Sequence, residues 1–176
     1  NRIKIILIPI ALLCIMASCE TKVLDCANTN YNFELPIKAY PDKDSILIGD
    51  TIWFEVKNST ELKDLNSGKI VDYSGAMNLG IAIAFNALGN EGEFTINSVY
   101  SFEYVIKKGT ELTKGDYNGL FNQYLFSEEN KYYILSLGVV PKSKGTYIIG
   151  FSNATNVARS SDKCTKAGFS LYFRDT

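Results

Sequence analysis

The stretch Thr51-Ile52-Trp53-Phe54-Glu55-Val56-Lys57 decides the fold. In an extended chain Ile52, Phe54 and Val56 fall on one face and Thr51, Trp53, Glu55 and Lys57 on the other. One face must be covered and the other tolerates water, which is the pattern of a strand in a sheet with one wet side. Trp53 is the exception, an aromatic ring on the polar face. The same period of two returns in Tyr100-Ser101-Phe102-Glu103-Tyr104-Val105-Ile106, where the even positions make an aromatic stripe and the odd ones include Ser101 and Glu103. Core packing is the simplest reading of that stripe, since aromatics dominate core energetics; a ligand platform is the rival.

Working outward, further runs rich in β-branched and aromatic residues span 32–39, 45–48, 78–87, 93–106, 131–140, 146–152 and 168–174, each bounded by Gly, Asn, Asp or Pro. Eight or nine strands with no long helix define an all-β antiparallel sandwich. Two stretches suggest one or two short helical turns. Residues 59–65 could form one behind a hydroxyl cap, and Leu120-Phe121 with Tyr124-Leu125 fit the helical period. Gly89-Asn90-Glu91-Gly92-Glu93 reads as a hairpin connection, without the glycine pattern or the lysine of a phosphate loop.

Composition narrows the chemistry. The 176 residues are about one domain, 46% hydrophobic and 21% charged, which argues against disorder and coiled coil. There is no histidine, so the commonest general base and the commonest metal ligand are both missing. With 18 basic and 19 acidic residues and no basic run longer than Lys107-Lys108, a nucleic-acid partner is not expected. Asp42-Lys43-Asp44 lacks the further oxygen ligands and closing glutamate of a calcium loop and reads as a solvated turn after Pro41. Glu91, Glu93, Glu128 and Glu129 offer carboxylates, but nothing fixes two of them at a catalytic separation. No metal, no cofactor and no enzymatic activity are expected.

The first twenty residues stand apart. Arg2 and Lys4 precede an apolar run over 5–16 and the small residues Ala17-Ser18, a secretory leader too short to span a bilayer; residues are expected upstream of Asn1. Its end, Met16-Ala17-Ser18-Cys19, resembles the lipobox of bacterial lipoproteins. That resemblance implies cleavage before Cys19, a lipid on its sulfur, and anchorage to the outer membrane, with the exposed side left open. Two or more acyl chains hold stably, each buried methylene contributing about 0.8 kcal/mol. The division is then a signal peptide at 1–18, a lipidated tether at 19–30 and the sandwich domain at 31–176. With Cys14 in the leader and Cys19 acylated, Cys26 and Cys164 are left in an oxidising compartment. They either form a disulfide, whose long loop would stabilise by at most about 5 kcal/mol, or remain free thiols.

Two motifs resemble bacterial immunoglobulin-like domains: the Gly49-Asp50 turn between residues 45–48 and 51–54, and the corner Pro141-Lys142-Ser143-Lys144-Gly145-Thr146-Tyr147. The resemblance implies that Tyr147 is a corner tyrosine whose hydroxyl reaches backbone a few residues upstream. Ile149 stands where antibody domains carry their second cysteine, and the stretch from 55 to 140 exceeds a minimal seven-strand domain, so extra strands are implied. As a whole the chain resembles the small β-sandwich lipoproteins common in Bacteroidetes, a group that brings no activity with it.

Three functions survive this reading. The first is a non-catalytic structural or protein-interaction module of the cell envelope. The second is a glycan-binding module of a surface polysaccharide-uptake system, in which Trp53 with Tyr73 or Tyr117 would line an exposed platform. The third is a histidine-free hydrolase, which needs two facing carboxylates in a cleft.

Overall fold

The computed structural model describes residues 30–89, 92–95, 98–113, 120–153, 158–159 and 166–173. Alternation makes β1 (Asn30–Tyr40), which buries Phe33, Leu35 and Ile37 between exposed Asn32, Glu34 and Lys38. It also makes β2 (Ile52–Ser59), where Phe54 and Val56 are buried and Trp53 stands on the opposite side. β3 (Glu61–Lys63) and β4 (Ile70–Asp72) pair as a separate hairpin. β5 (Gly80–Leu88) and β6 (Phe94–Thr95) come next, joined by the Gly89–Gly92 hairpin expected from the sequence, with Gly89 N–H donating to the Glu93 carbonyl. A 3-10 turn at Val99–Ser101 leads into β7 (Phe102–Lys108) and β8 (Thr110–Thr113). The chain continues through β9 (Asn122–Leu125), β10 (Ser127–Glu129), β11 (Tyr132–Pro141), β12 (Tyr147–Asn153), β13 (Ala158–Arg159) and β14 (Lys166–Phe173).

These strands form an all-β, immunoglobulin-like sandwich. One sheet runs β10-β11-β2-β1-β14-β13, with β7 taking over the edge of β11 beyond β10; the other runs β12-β5-β9-β8, with β6 added to β5. Among the described residues the pairing is antiparallel throughout except between β1 and β14, the first and last long strands, which run parallel from Asn30↔Lys166 to Ile37↔Phe173. β1 then leaves β14 and pairs antiparallel with β2, Lys38↔Glu55 to Tyr40↔Trp53. Between the sheets lies a core of Ile37, Phe54, Val56, Ile81, Ile83, Phe85, Phe102, Tyr124, Leu135 and Leu137. A second cluster around Phe33, Leu62, Tyr73, Tyr133 and Phe169 fills the β3–β4 end.

Four expectations need correction. Residues 59–65 are not a helical turn but β3, because Leu62 alternates with exposed Glu61 and Lys63, and the Thr60 backbone is held on both sides, by the Lys131 carbonyl and the Tyr73 N–H. Residues 120–125 likewise contain β9, in which Asn122 and Tyr124 point inward together at a period of two. Residues 45–48 form no strand: they hang as a strap, tied at its end by Gly49 N–H to the Pro141 carbonyl (3.2 Å). The 3-10 turn at Val99–Ser101 is the one helical element among the described residues, and it splits the single run expected over 93–106 into β6 and β7.

The turn between β3 and β4 is fastened to β1 by the Asp64 carboxylate and by Leu65 N–H, which donates to the Asn32 carbonyl (2.7 Å). Buried Asp64 accepts from Asn32 N–H (2.9 Å), Asn66 N–H (3.3 Å), Ser67 N–H (2.8 Å) and the Ser67 hydroxyl (2.6 Å). The Ser67 hydroxyl first, then the Asn32 N–H, hold its pKa well below the ordinary 3.8, at about 2. A depressed carboxylate stabilises the fold fully above its unfolded value and loses that contribution as pH falls through its folded value. Asp64→Asn is therefore expected to lower the melting temperature at pH 6, and the gap from wild type to narrow as pH drops from 3.8 towards 2. Melting curves in that window check it, a constant gap being the contrary result.

The corner expected at Pro141 to Tyr147 is present. The Tyr147 hydroxyl donates to the Ser143 carbonyl (3.4 Å), its ring packs edge-on against Phe102 (4.8 Å, 71°), and Tyr147, Ile149 and Phe151 share the inner face of β12. Gly145 lies under the ring, where a Cβ would sit 3.0 Å from it. Tyr147→Phe is expected to cost about 0.5 kcal/mol, given so long a hydrogen bond. Tyr147→Ala should cost about 3 kcal/mol by urea denaturation, the low end for core aromatics, because the ring is only half-buried.

Candidate functional site

The outward face of β1, β2, β11 and β7 carries the most organised surface chemistry of the described residues. Cross-strand register sets Tyr40 beside Trp53, Trp53 beside Gly138 and Gly138 beside Val105; the next row is Lys38, Glu55 and Ser136. Odd residues of β2 point outward here because Phe54 and Val56 are committed to the core. The face is centred on β2, which is paired on both sides, by β1 and β11.

Its side chains hold one another. The Tyr40 hydroxyl donates to Glu55 Oε1 (2.7 Å), and the Ser136 hydroxyl donates to the same oxygen (3.2 Å). The bond to Glu55 raises the pKa of the Tyr40 hydroxyl, so Tyr40 stays a donor. Lys107 Nζ stands 3.6 Å from the centroid of the Trp53 ring, and Lys57 Nζ 5.3 Å from that of Tyr132. Such cation–π pairs contribute about 0.5–1 kcal/mol at exposed sites. Gly138 makes room for the indole: a Cβ there would come within 3.0 Å of two Trp53 ring atoms and 2.9 Å of Thr51 Cγ2. Trp53 is thus half-buried, its far end against Gly138 and its ring under Lys107.

Of the residues expected from sequence to form a sugar platform, Trp53 and Tyr73 do not come together. Trp53 is on this outward face. Tyr73 is 1% exposed and lies in the second core cluster, where its ring meets Phe33 (5.1 Å) and its carbonyl accepts from the Tyr133 hydroxyl. It cannot stack on a ligand, because its position after β4 turns it inward over Phe33 and Phe169. Tyr117, Cys19, Cys26 and Cys164 lie outside the described residues.

Two of the four carboxylates are occupied structurally. Glu128 accepts from Gly75 N–H (2.7 Å) and Glu129 pairs with Lys108 (2.8 Å); Glu93 is exposed in the hairpin, and Glu91 is outside the described residues. Among the described residues no three potential metal ligands converge, and Asp42-Lys43-Asp44 is exposed between bends at Pro41 and Asp44 without forming the turn expected of it. The aromatic stripe from 100 to 106 serves the core at Phe102, Tyr104 and Ile106, whereas Tyr100 falls in the 3-10 turn and is exposed. Sequence reasoning missed Tyr40, Lys57, Lys107, Tyr132 and Gly138. A glycine in the middle of the apolar run 131–140 was the available signal, since a strand interior accepts glycine mainly where something approaches closely.

No protein-family profile matches the chain. No curated protein matches it either. Among solved structures, it is similar to a chain of the type II cohesin–X-dockerin complex of Acetivibrio cellulolyticus, at 14% identity and a TM-score of 0.38, over 79% of this chain and 95% of that one. It is likewise similar to the second type II cohesin module of a cellulosomal adaptor scaffoldin from the same organism, at 13% identity and a TM-score of 0.38, over 80% of this chain and 92% of that one.

Trp53 is the single tryptophan, so its emission reports this face alone. Gly138→Val is expected to lift the indole into water, red-shifting its emission and increasing acrylamide quenching. An unchanged spectrum in a folded variant would contradict the packing described.

Proposed function

We propose that the protein is a non-catalytic lipoprotein of the cell envelope, anchored through Cys19, and that it acts as a protein-interaction module through the outward face of β1, β2, β11 and β7. The observation that carries this reading is the interlocked set Tyr40–Glu55–Ser136 and Lys107–Trp53–Gly138. Rings fixed before binding lose little freedom on binding, and tryptophan and tyrosine are the side chains most enriched where protein interfaces concentrate their energy. The face also suits an anchored protein. β1 begins where the tether would end, and the Tyr40–Trp53 row lies at its other end, about 33 Å away for eleven residues. Glycan binding is the weaker reading, because Lys107 stands over the ring on which a sugar would stack and Tyr73 is buried.

A photo-crosslinking residue at Val105 in the full chain, expressed in its own cells, is expected to capture protein, and Trp53→Ala to reduce that capture at least fivefold. The same residue at Ser170 should capture little, and Cys19→Ala should lose an alkyne-fatty-acid label. Crosslinks to polysaccharide alone, or equal capture from both positions, would contradict the reading.

We also propose the Cys26–Cys164 disulfide. It is supported by the β1–β14 register: Asn30 faces Lys166, four residues after Cys26 and two after Cys164, so only short lengths of chain separate either cysteine from one end of the parallel pair. Mass spectrometry of the non-reduced protein is expected to find the two peptides linked; two free thiols would refute it.

A further inference from the structure

At the end of the sandwich remote from Asn30, the strap 43–48 crosses the seam between the two sheets and leaves a cleft of about 540 Å³ beneath it. Its apolar side is made by Ile46 from the strap, Ile52 from the start of β2, Phe102 from β7, and Tyr147 and Ile149 from β12, while Ser45, Ser143 and Thr146 add hydroxyls to the lining. Among the described residues β12 is the edge strand of its sheet, paired only with β5, so no further strand of the ladder closes this side. The strap makes no ladder of its own, being tied by Gly49 to Pro141 and by a turn in which Asp50 N–H donates to the Leu47 carbonyl. Cleft volumes of about 300–1,000 Å³ with apolar walls and a few convergent polar groups are typical of small-molecule sites.

Charge marks the mouth. Lys43 and Lys144 line the cleft from opposite sides, one on the strap and one on the corner before β12, and both are exposed. Asp44 is the one carboxylate in the lining; among the described residues neither lysine is within ion-pair distance of it or of any other carboxylate. The cleft therefore presents two ammonium groups at the rim of an apolar trough. An apolar ligand without charge would leave them unused, and a cationic one would be repelled.

We propose that this cleft binds a free single-chain amphiphile with an anionic head group, of the class of a medium-chain carboxylate, its chain lying along Ile52, Phe102, Tyr147 and Ile149 and its head between Lys43 and Lys144. The strap is the movable wall: residues 45–48 have no sheet partner, so it can lift without breaking a ladder. The site is at the end of the sandwich and is separate from the outward face of β2.

The test is photolabelling of the full chain, purified in a neutral sugar-headed detergent, with a diazirine analogue of dodecanoate. Expected are adducts confined to residues 43–48 and 144–149, competed away by excess dodecanoate and at least fivefold less by dodecyltrimethylammonium. Lys43→Glu with Lys144→Glu, both exposed and expected to leave the melting temperature unchanged, should cut competable labelling at least fivefold. Labelling that is not competed, that spreads over the surface, or that survives the double substitution would overturn the proposal. So would adducts at the cleft that dodecyltrimethylammonium competes equally well. In a separate arm, flotation with anionic phosphatidylglycerol vesicles of the chain carrying Cys19→Ala, matched by the double lysine variant, distinguishes a free ligand from a bilayer surface: vesicle binding lost with the lysines, in place of dodecanoate labelling, would also overturn it.

Discussion

Everything in this fold hangs on β1 having two partners in succession. Its first eight residues lie parallel to β14 and its last three antiparallel to β2. Through that one strand the last-made part of the chain is joined to the sheet that β2 and β11 begin. Asn32 shows how the exchange is arranged: its N–H goes to Asp64 and its carbonyl accepts from Leu65, so the even residues of β1 direct their backbone away from β14. Pro36 is even. Its missing N–H falls on the side where β2 has not yet arrived, so a residue normally excluded from sheet interiors is accommodated without losing a bond to β14. Parallel pairing of strands so far apart in the chain is slow to form, because its loop must close before the contacts can reward it.

Much of the architecture was legible because it rests on local alternation. Ile52, Phe54 and Val56, or Tyr147, Ile149 and Phe151, declare a face by themselves, and the corner at Tyr147 is signalled by a glycine and a tyrosine two residues apart. What was illegible depends on partners distant in sequence. Ile46 to Ile48 have the composition of a strand but no neighbour with which to pair, so they remain a strap; Glu61 to Lys63, weak by composition, become a strand because Ile70 to Asp72 and Asp64 hold them. Nor does alternation alone reveal that a platform candidate such as Tyr73 turns inward, since its fate is set by Phe33 and Phe169, one on each of the paired terminal strands.

The outward face illustrates the same dependence at the level of chemistry. Trp53 on a polar face was visible from the sequence, but its meaning was not, because the groups that fix it come from β7 and β11. A lone exposed indole is ordinary on a protein surface, whereas one seated against glycine and capped by lysine is a fixed, partly solvated shape. Glu55, shared between Tyr40 and Ser136, plays the corresponding role in the next row.

The parallel union of β1 and β14 has a mechanical consequence. Tension applied between the start of β1 and the end of β14 acts along the strands in opposite directions, so it shears the two past each other instead of peeling them apart. In shear, all eight facing pairs from Asn30↔Lys166 to Ile37↔Phe173 bear the load together. An antiparallel pair pulled from adjacent ends would open one bond at a time. A sandwich closed in this way resists extension most along the line from the entry of β1 to the exit of β14.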